Sequence, residues 1–134
     1  MRMYLLIGAL LALLGVMLGA FGAHGLKNIL DASALATFEV GVRYQMYHAL
    51  AILLVGGLAA QASLVWRKRA ALLFIIGSVL FSGSIYLLVL TGQKWLGPVT
   101  PLGGLCLMLG WVALAISVMK GADNSADTRP GSND

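Results

Sequence analysis

Four long stretches of this chain contain no side chain that is ionised at neutral pH. Nothing charged lies between Arg2 and Lys27, Arg43 and Arg67, Arg69 and Lys94, or Lys94 and Lys120, and each interval runs about 23–25 residues. A helix needs about 20 apolar residues to cross the ~30 Å hydrocarbon layer of a bilayer. A soluble surface helix carries charge on its wet face every turn or two, so the gaps exclude a water-soluble core. Charge is scarce overall, at 10% of residues against about 25% in soluble domains. The lone Cys106 excludes an intramolecular disulfide. A chain of 134 residues that spends about 80 on spans has no room for a separate soluble catalytic domain. There is no Gly-rich phosphate loop after a strand and no Ser/His/Asp arrangement, so a non-enzymatic protein is expected.

What is present is apolar: 60% of the residues are hydrophobic. The chain reads as an all-α membrane protein with four transmembrane helices at 4–23, 44–62, 71–90 and 101–119, making one domain over 1–120. The continuous apolar runs lack the period-two alternation of barrel strands. The first run is longer than the 7–15 apolar residues of a secretory signal, so it is read as an uncleaved span. Thr100 is placed to cap the fourth helix, with Pro101 in its first turn. The tail, 121–134, is polar and rich in Gly, Ser, Asn and Asp, the composition of a disordered segment.

The net charge of +4 would suggest nucleic acid in a soluble chain, but here the basic residues stand at span ends. Arg2, Arg67, Lys68, Arg69, Lys120 and Arg129 fall on one side, and Lys27, Arg43 and Lys94 on the other. The positive-inside rule places both termini in the cytoplasm. The first loop is distinctive. Asp31 to Arg43 reads as a short amphipathic helix between helices 1 and 2, capped by Asp31 or Ser33. Leu35, Phe38 and Val42 share one face, and Glu39 precedes Arg43 by four. It is expected to lie along the outer surface and run into helix 2, bending at Gly41. On helix 1, Gly15, Gly19 and Ala23 offer the small-residue spacing that lets helices approach closely in lipid.

This topology sorts polar side chains by depth. His24, Glu39, Arg43, Tyr44, Gln45, Tyr47, His48, Ser82, Ser84, Tyr86 and Thr100 all fall towards the outer ends of the helices, and the inner halves hold little beyond Trp111 and Ser117. Intramembrane polar groups must find partners or water. A shared outward-opening pocket holding His24 and His48 is therefore expected, as a place for a lipid headgroup, a small solute or a membrane partner. Histidine is also the commonest metal ligand. The pair nevertheless lacks local ligand spacing, so neither a metal nor a cofactor is assigned; a haem between helices 1 and 2 is the lesser alternative. An oligomeric channel is the other alternative, opposed by the absence of any acid or base within a span. Partners are the bilayer itself and a homo-oligomer or larger membrane protein, with no nucleic acid.

Four segments carry a resemblance. They are Gly19-Ala20-Phe21-Gly22-Ala23-His24-Gly25-Leu26, Phe38 through Ala51, Leu80-Phe81-Ser82-Gly83-Ser84-Ile85-Tyr86, and Val99-Thr100-Pro101-Leu102-Gly103-Gly104. In this order they resemble the signature segments of the YgdD/YwdK-like family, small bacterial inner-membrane proteins classed as a domain of unknown function. The resemblance implies a multi-pass membrane protein and supplies no activity, cofactor or catalytic residue.

The charge bias makes a first prediction. Single-cysteine labelling in intact cells should find the Arg67–Arg69 segment and the C-terminus protected by the membrane, and Asp31–Arg43 and Lys94 accessible from outside. Outside labelling at Lys68 would reverse the orientation.

Overall fold

The computed structural model describes residues 1–123. Four helices follow one another: α1 (Arg2–His24), α2 (Ala32–Gly57), α3 (Leu64–Thr91) and α4 (Val99–Lys120). A 3-10 turn at Leu26–Asn28 joins α1 to α2, and another at Lys94–Leu96 precedes α4. Among the described residues there is no strand. The expected disorder of 121–134 falls, for 124–134, outside the described residues. Gly121 closes α4, and the Asp123 carboxylate accepts the backbone N–H of Leu64 at 2.9 Å, so the start of the tail caps α3.

The largest departure from the sequence reading is α2. No separate outer helix stands between α1 and the apolar run of α2. The amphipathic segment and the apolar run after it form one helix of 26 residues, about 39 Å at 1.5 Å per residue. Asp31 starts it, its side chain accepting from Ala34 N at 2.7 Å. Gly41 lies inside the helix against Ile85 and Tyr86. The helix ends at Gly57, five residues short of the expected Ala62. Three stretches are long and apolar enough to cross a membrane, Arg2–Asn28, Leu64–Thr91 and Lys94–Lys120, and α2 is not among them. The cause is local: Glu39, Arg43, Gln45 and His48 all lie within the helix and dilute its apolar run. Helix α3 likewise begins earlier than position 71 and takes in the basic run Arg67-Lys68-Arg69. Thr100 is not a cap. Helix α4 starts at Val99 after Pro98, and the Thr100 hydroxyl instead meets Ser84 Oγ at 2.6 Å.

The helices pack in chain order, antiparallel, with α1 on α2, α2 on α3 and α3 on α4, and α4 rests chiefly on α3. Glycines set each contact. On α1 the buried residues are Gly8, Gly15 and Gly22, seven apart. They face Ile52, Gln45 and Phe38 of α2, which are also seven apart. A Cβ on Gly8 would come within 2.8 Å of Ile52, and one on Gly22 within 2.9 Å of the Phe38 ring. This is knob-into-hole packing at a seven-residue repeat, with the holes made deep by the missing side chains. Gly15 belongs to this seam, and a Cβ on Gly19 at its edge would come within 3.3 Å of Val42. Ala23 is exposed, since the repeat selects Gly22 one residue earlier. The α3–α4 contact repeats the device. Phe74 and Phe81 sit over Gly110 and Gly103, and Leu107 sits over Gly77.

Two glycines on facing helices separate packing from propensity. A Cβ on Gly103 would fall on the backbone of Phe81, its Cα at 2.7 Å, whereas one on Gly83 meets nothing within 4 Å. Gly103→Ala should cost about 1–3 kcal/mol or more, because a backbone cannot move aside like a side chain. Gly83→Ala should be neutral or gain up to about 1 kcal/mol. Reversible unfolding in mixed micelles reads both values, and equal tolerance of the two would contradict the α3–α4 contact.

Candidate functional site

The inward positions of α2 carry the polar chemistry of the chain. Gln45 is buried at the centre of the α1–α2 seam and holds three helices together. Its Nε2 donates to the Leu11 carbonyl of α1 at 2.8 Å, and its Oε1 accepts from the Tyr86 hydroxyl of α3 at 2.7 Å. Gly15 lies beside it, where a Cβ would meet Met46 at 3.5 Å and the amide nitrogen at 3.7 Å, both ordinary contact distances. Phe38 lies on the Tyr86 ring with centroids 5.1 Å apart. Beside them Ser82 Oγ donates to the Gly41 carbonyl at 2.7 Å, and Ser84 pairs with Thr100. Each polar group here has a partner in protein, as an apolar surrounding demands. The buried Ser78 hydroxyl has none among the described residues.

His48 lies one turn further along α2. The Trp111 indole N–H, which can only donate, reaches His48 Nε2 at 3.1 Å. The ring proton must then sit on Nδ1, which donates to the Tyr44 carbonyl at 2.7 Å. Both nitrogens are used and the ring is neutral. The imidazole is wedged between aromatic neighbours, 5.5 Å from the Phe74 centroid and 5.9 Å from Trp111. A metal or haem iron at Nε2 would have to displace the Trp111 bond. Among the described residues no three His, Cys, Asp or Glu side chains gather where they would hold a metal ion.

The two histidines do not share a pocket. His48 lies no further towards the α1–α2 connection than Gln45, which touches Leu11, and His24 is thirteen residues beyond Leu11 on α1. At 1.5 Å per residue the separation is about 20 Å, and His24 is exposed. The depth argument failed because it counted helix 2 from Tyr44. With the helix starting at Ala32, Tyr44 to His48 lie near mid-height, beside Phe81, Phe74 and Trp111. Of the other predicted residues, Gln45 and Tyr86 come together, as do Ser84 and Thr100, while Ser82 bonds backbone. Tyr44 and Tyr47 pack edge to face at 5.9 Å and flank His48. Glu39 and Arg43 remain on the exposed side of α2.

Next to His48 a groove of about 580 Å³ opens between α2 and α4. Phe81, Gly104 and Leu107 lie along it with Tyr44, and Tyr47, Met108 and Trp111 stand at its exposed mouth. Apart from the bonded imidazole, no titratable group other than the two phenols lines it. From sequence, Trp111 counts only among the few polar residues of the inner halves, apart from the cluster; its bond to His48 depends on how α2 and α4 sit side by side.

A second residue was also missed. Arg67 is only 5% exposed although it was read as part of a basic loop. Its Nη1 donates to the Val55 carbonyl at 3.2 Å and its Nε to the Ala62 carbonyl at 3.3 Å. Val55 is in the last turn of α2, where carbonyls lack helical partners and the helix dipole favours a cation. The neighbouring Arg69 sits over the Trp66 ring at 4.5 Å.

The bridge through Gln45 generates a prediction. Tyr86→Phe and Gln45→Leu should each destabilise the protein, and the pair should show a coupling of about 0.5–2 kcal/mol in a double-mutant cycle. Additive effects would mean that the 2.7 Å contact carries no energy.

Comparison with known proteins agrees with this architecture. The family described as "Protein of unknown function (DUF423)" matches residues 18–104. A UPF0382 membrane protein of Staphylococcus aureus (strain bovine RF122) is 42% identical over 120 residues, covering 90% of this chain and 98% of its own. The UPF0382 membrane protein YwdK of Bacillus subtilis is 41% identical over 121 residues, covering 90% and 98%. One from Haemophilus influenzae is 39% identical over 117 residues, covering 87% and 94%. No solved structure matches the chain. The matched region runs from the Gly19–Gly22 turn of α1 to Gly104 in the groove, and with these relatives it establishes that the chain belongs to the DUF423 (UPF0382) family of membrane proteins.

Proposed function

We propose that this protein is a four-span, non-enzymatic component of the bacterial inner membrane, with both termini cytoplasmic, that holds a lipid-soluble molecule in the groove between α2 and α4. One observation carries the reading: a groove of about 580 Å³, within the size range of small-molecule sites, walled by aromatic rings and open on the lipid-facing side of the helices. Four spans follow from the packing. Helix α2 is sandwiched between α1 and α3 along its length, so it crosses wherever they cross.

The chemistry of the walls selects the ligand. There is no fixed charge to meet an ionic headgroup or a charged solute. Phe81, Leu107 and Met108 suit an acyl chain or a flat apolar ring. The Tyr44 and Tyr47 hydroxyls add hydrogen-bonding capacity at mid-height, where a phospholipid headgroup does not reach. The Trp111–His48 bond fixes the indole as one wall.

Gly104 allows a clean test. A Cβ there would meet the Phe81 ring at an ordinary 3.6 Å, so a larger side chain enters the groove without forcing the helices apart. Native mass spectrometry from nanodiscs should show a retained molecule on the wild-type chain and its loss in Gly104→Leu, with unfolding unchanged. A wild-type chain without an adduct, or an adduct that survives Gly104→Leu, would contradict the proposal.

A further inference from the structure

Helix α2 turns one face away from every other helix of the molecule. Ala32, Ala36, Glu39, Arg43, Tyr47, Leu50 and Leu54 recur at intervals of three and four and are all exposed. Opposite them on the same helix stand Phe38, Gln45 and Ile52, the knobs of the α1 seam. The outward face is therefore continuous along the helix and takes no part in the internal packing. Its central residues are charged, and Glu39 and Arg43 form no ion pair with one another. Their height follows from the register. Glu39 follows Phe38, which packs at Gly22, and Val42, next to Arg43, packs at Gly19. Both lie below the end of α3, since Gly41 contacts Ile85, six residues before Thr91. On the four-span reading these two charges face the outer part of the bilayer.

We propose that this face of α2 is where a second copy of the chain docks, side by side in the same orientation, with Glu39 of each copy paired to the partner's Arg43. The argument is charge complementarity. A carboxylate and a guanidinium exposed to lipid are costly and normally find partners inside a bundle. The face is self-complementary under a twofold axis along the membrane normal, because each copy offers one acid and one base on the same stripe. The two residues differ by four positions, about 6 Å along the helix, a stagger that an arginine side chain spans. An anionic lipid would suit Arg43 alone and be repelled by Glu39, whereas a second copy satisfies both. The small Ala32 and Ala36 above the pair, and Leu50 and Leu54 below, have the three-and-four spacing of a helix–helix seam.

The inference rests on the four-span reading but not on the groove, and the test separates them. In the Cys106→Ser background, single cysteines at Ala36, Leu50 and Leu54 should form disulfide-linked dimers in native membranes. Leu10→Cys, on the exposed face of α1, should not. Glu39→Arg and Arg43→Glu should each reduce the dimer fraction at least several-fold, and the double exchange Glu39→Arg/Arg43→Glu should restore it. These side chains are exposed, so the exchange does not touch the packed core. Cross-linking of Leu10→Cys as strong as that of Leu50→Cys, single charge variants that dimerise as well as the wild type, or products containing a different protein would each overturn the proposal. Labelling of Asn28 and Gln61 from the same side of the membrane would overturn the four-span reading itself. Labelling from opposite sides without cross-links would overturn the dimer alone.

Discussion

Helices surrounded by lipid do not gain by hiding apolar surface from water, so what holds them together must be better contact than lipid itself can make. In this chain that contact is supplied by glycine. Where Gly8, Gly15 and Gly22 remove three side chains from one stripe of α1, the knobs Ile52, Gln45 and Phe38 of α2 come down onto bare backbone. On α4, Gly110 takes the Phe74 ring of α3, and Gly103 lets the two backbones meet at Phe81. The common seven-residue interval fixes register as well as contact. On α1, a slip by one residue would place Ile52, Gln45 and Phe38 against side chains instead of glycines. A hole also decides what lies beside it: the Phe74–Gly110 contact sets Trp111 against His48.

Polar groups then occupy the positions that the seams leave enclosed. Gln45 spends its amide on α1 and α3 together, and His48 spends both ring nitrogens on Tyr44 and Trp111. A group so used specifies orientation more than it offers reactivity, because any ligand must first break a bond already made. Arg67 does the same work at the end bearing the termini, where it closes the last turn of α2. The groove between α2 and α4 is the place where packing is left incomplete. It exists because α4 rests chiefly on α3, and the Trp111–His48 bond spans it.

The helical class, the apolar runs, the Asp31 cap and the family resemblance were legible because they are local or compositional signals. Gly15 and Gly19 were also singled out, but as a four-residue spacing. The seven-residue spacing shared with Phe38, Gln45 and Ile52 involves two helices at once and is invisible until their register is known. The depth of His48 was misjudged for a related reason. Its place depends on where α2 begins, and the charged residues Glu39 and Arg43 suggested a surface segment where the helix in fact runs through. Arg67 looked like a topology marker because a single sequence does not reveal that two backbone carbonyls await its guanidinium. Within the predicted cluster, the pairs that met, Gln45 with Tyr86 and Ser84 with Thr100, are those whose helices pack side by side at the same height.

The account stands or falls on glycine holes filled by specific knobs, and the Phe74–Gly110 contact tests it most directly. A Cβ on Gly110 would lie 2.6 Å from the Phe74 ring. Unfolding free energies of Gly110→Ala, Phe74→Val and the double variant form a complete cycle. The account predicts that Gly110→Ala is severe alone and mild when Phe74 is already Val, a favourable coupling of about 1–3 kcal/mol. Strict additivity, with Gly110→Ala equally harmful in both backgrounds, would show that the hole and the knob do not meet.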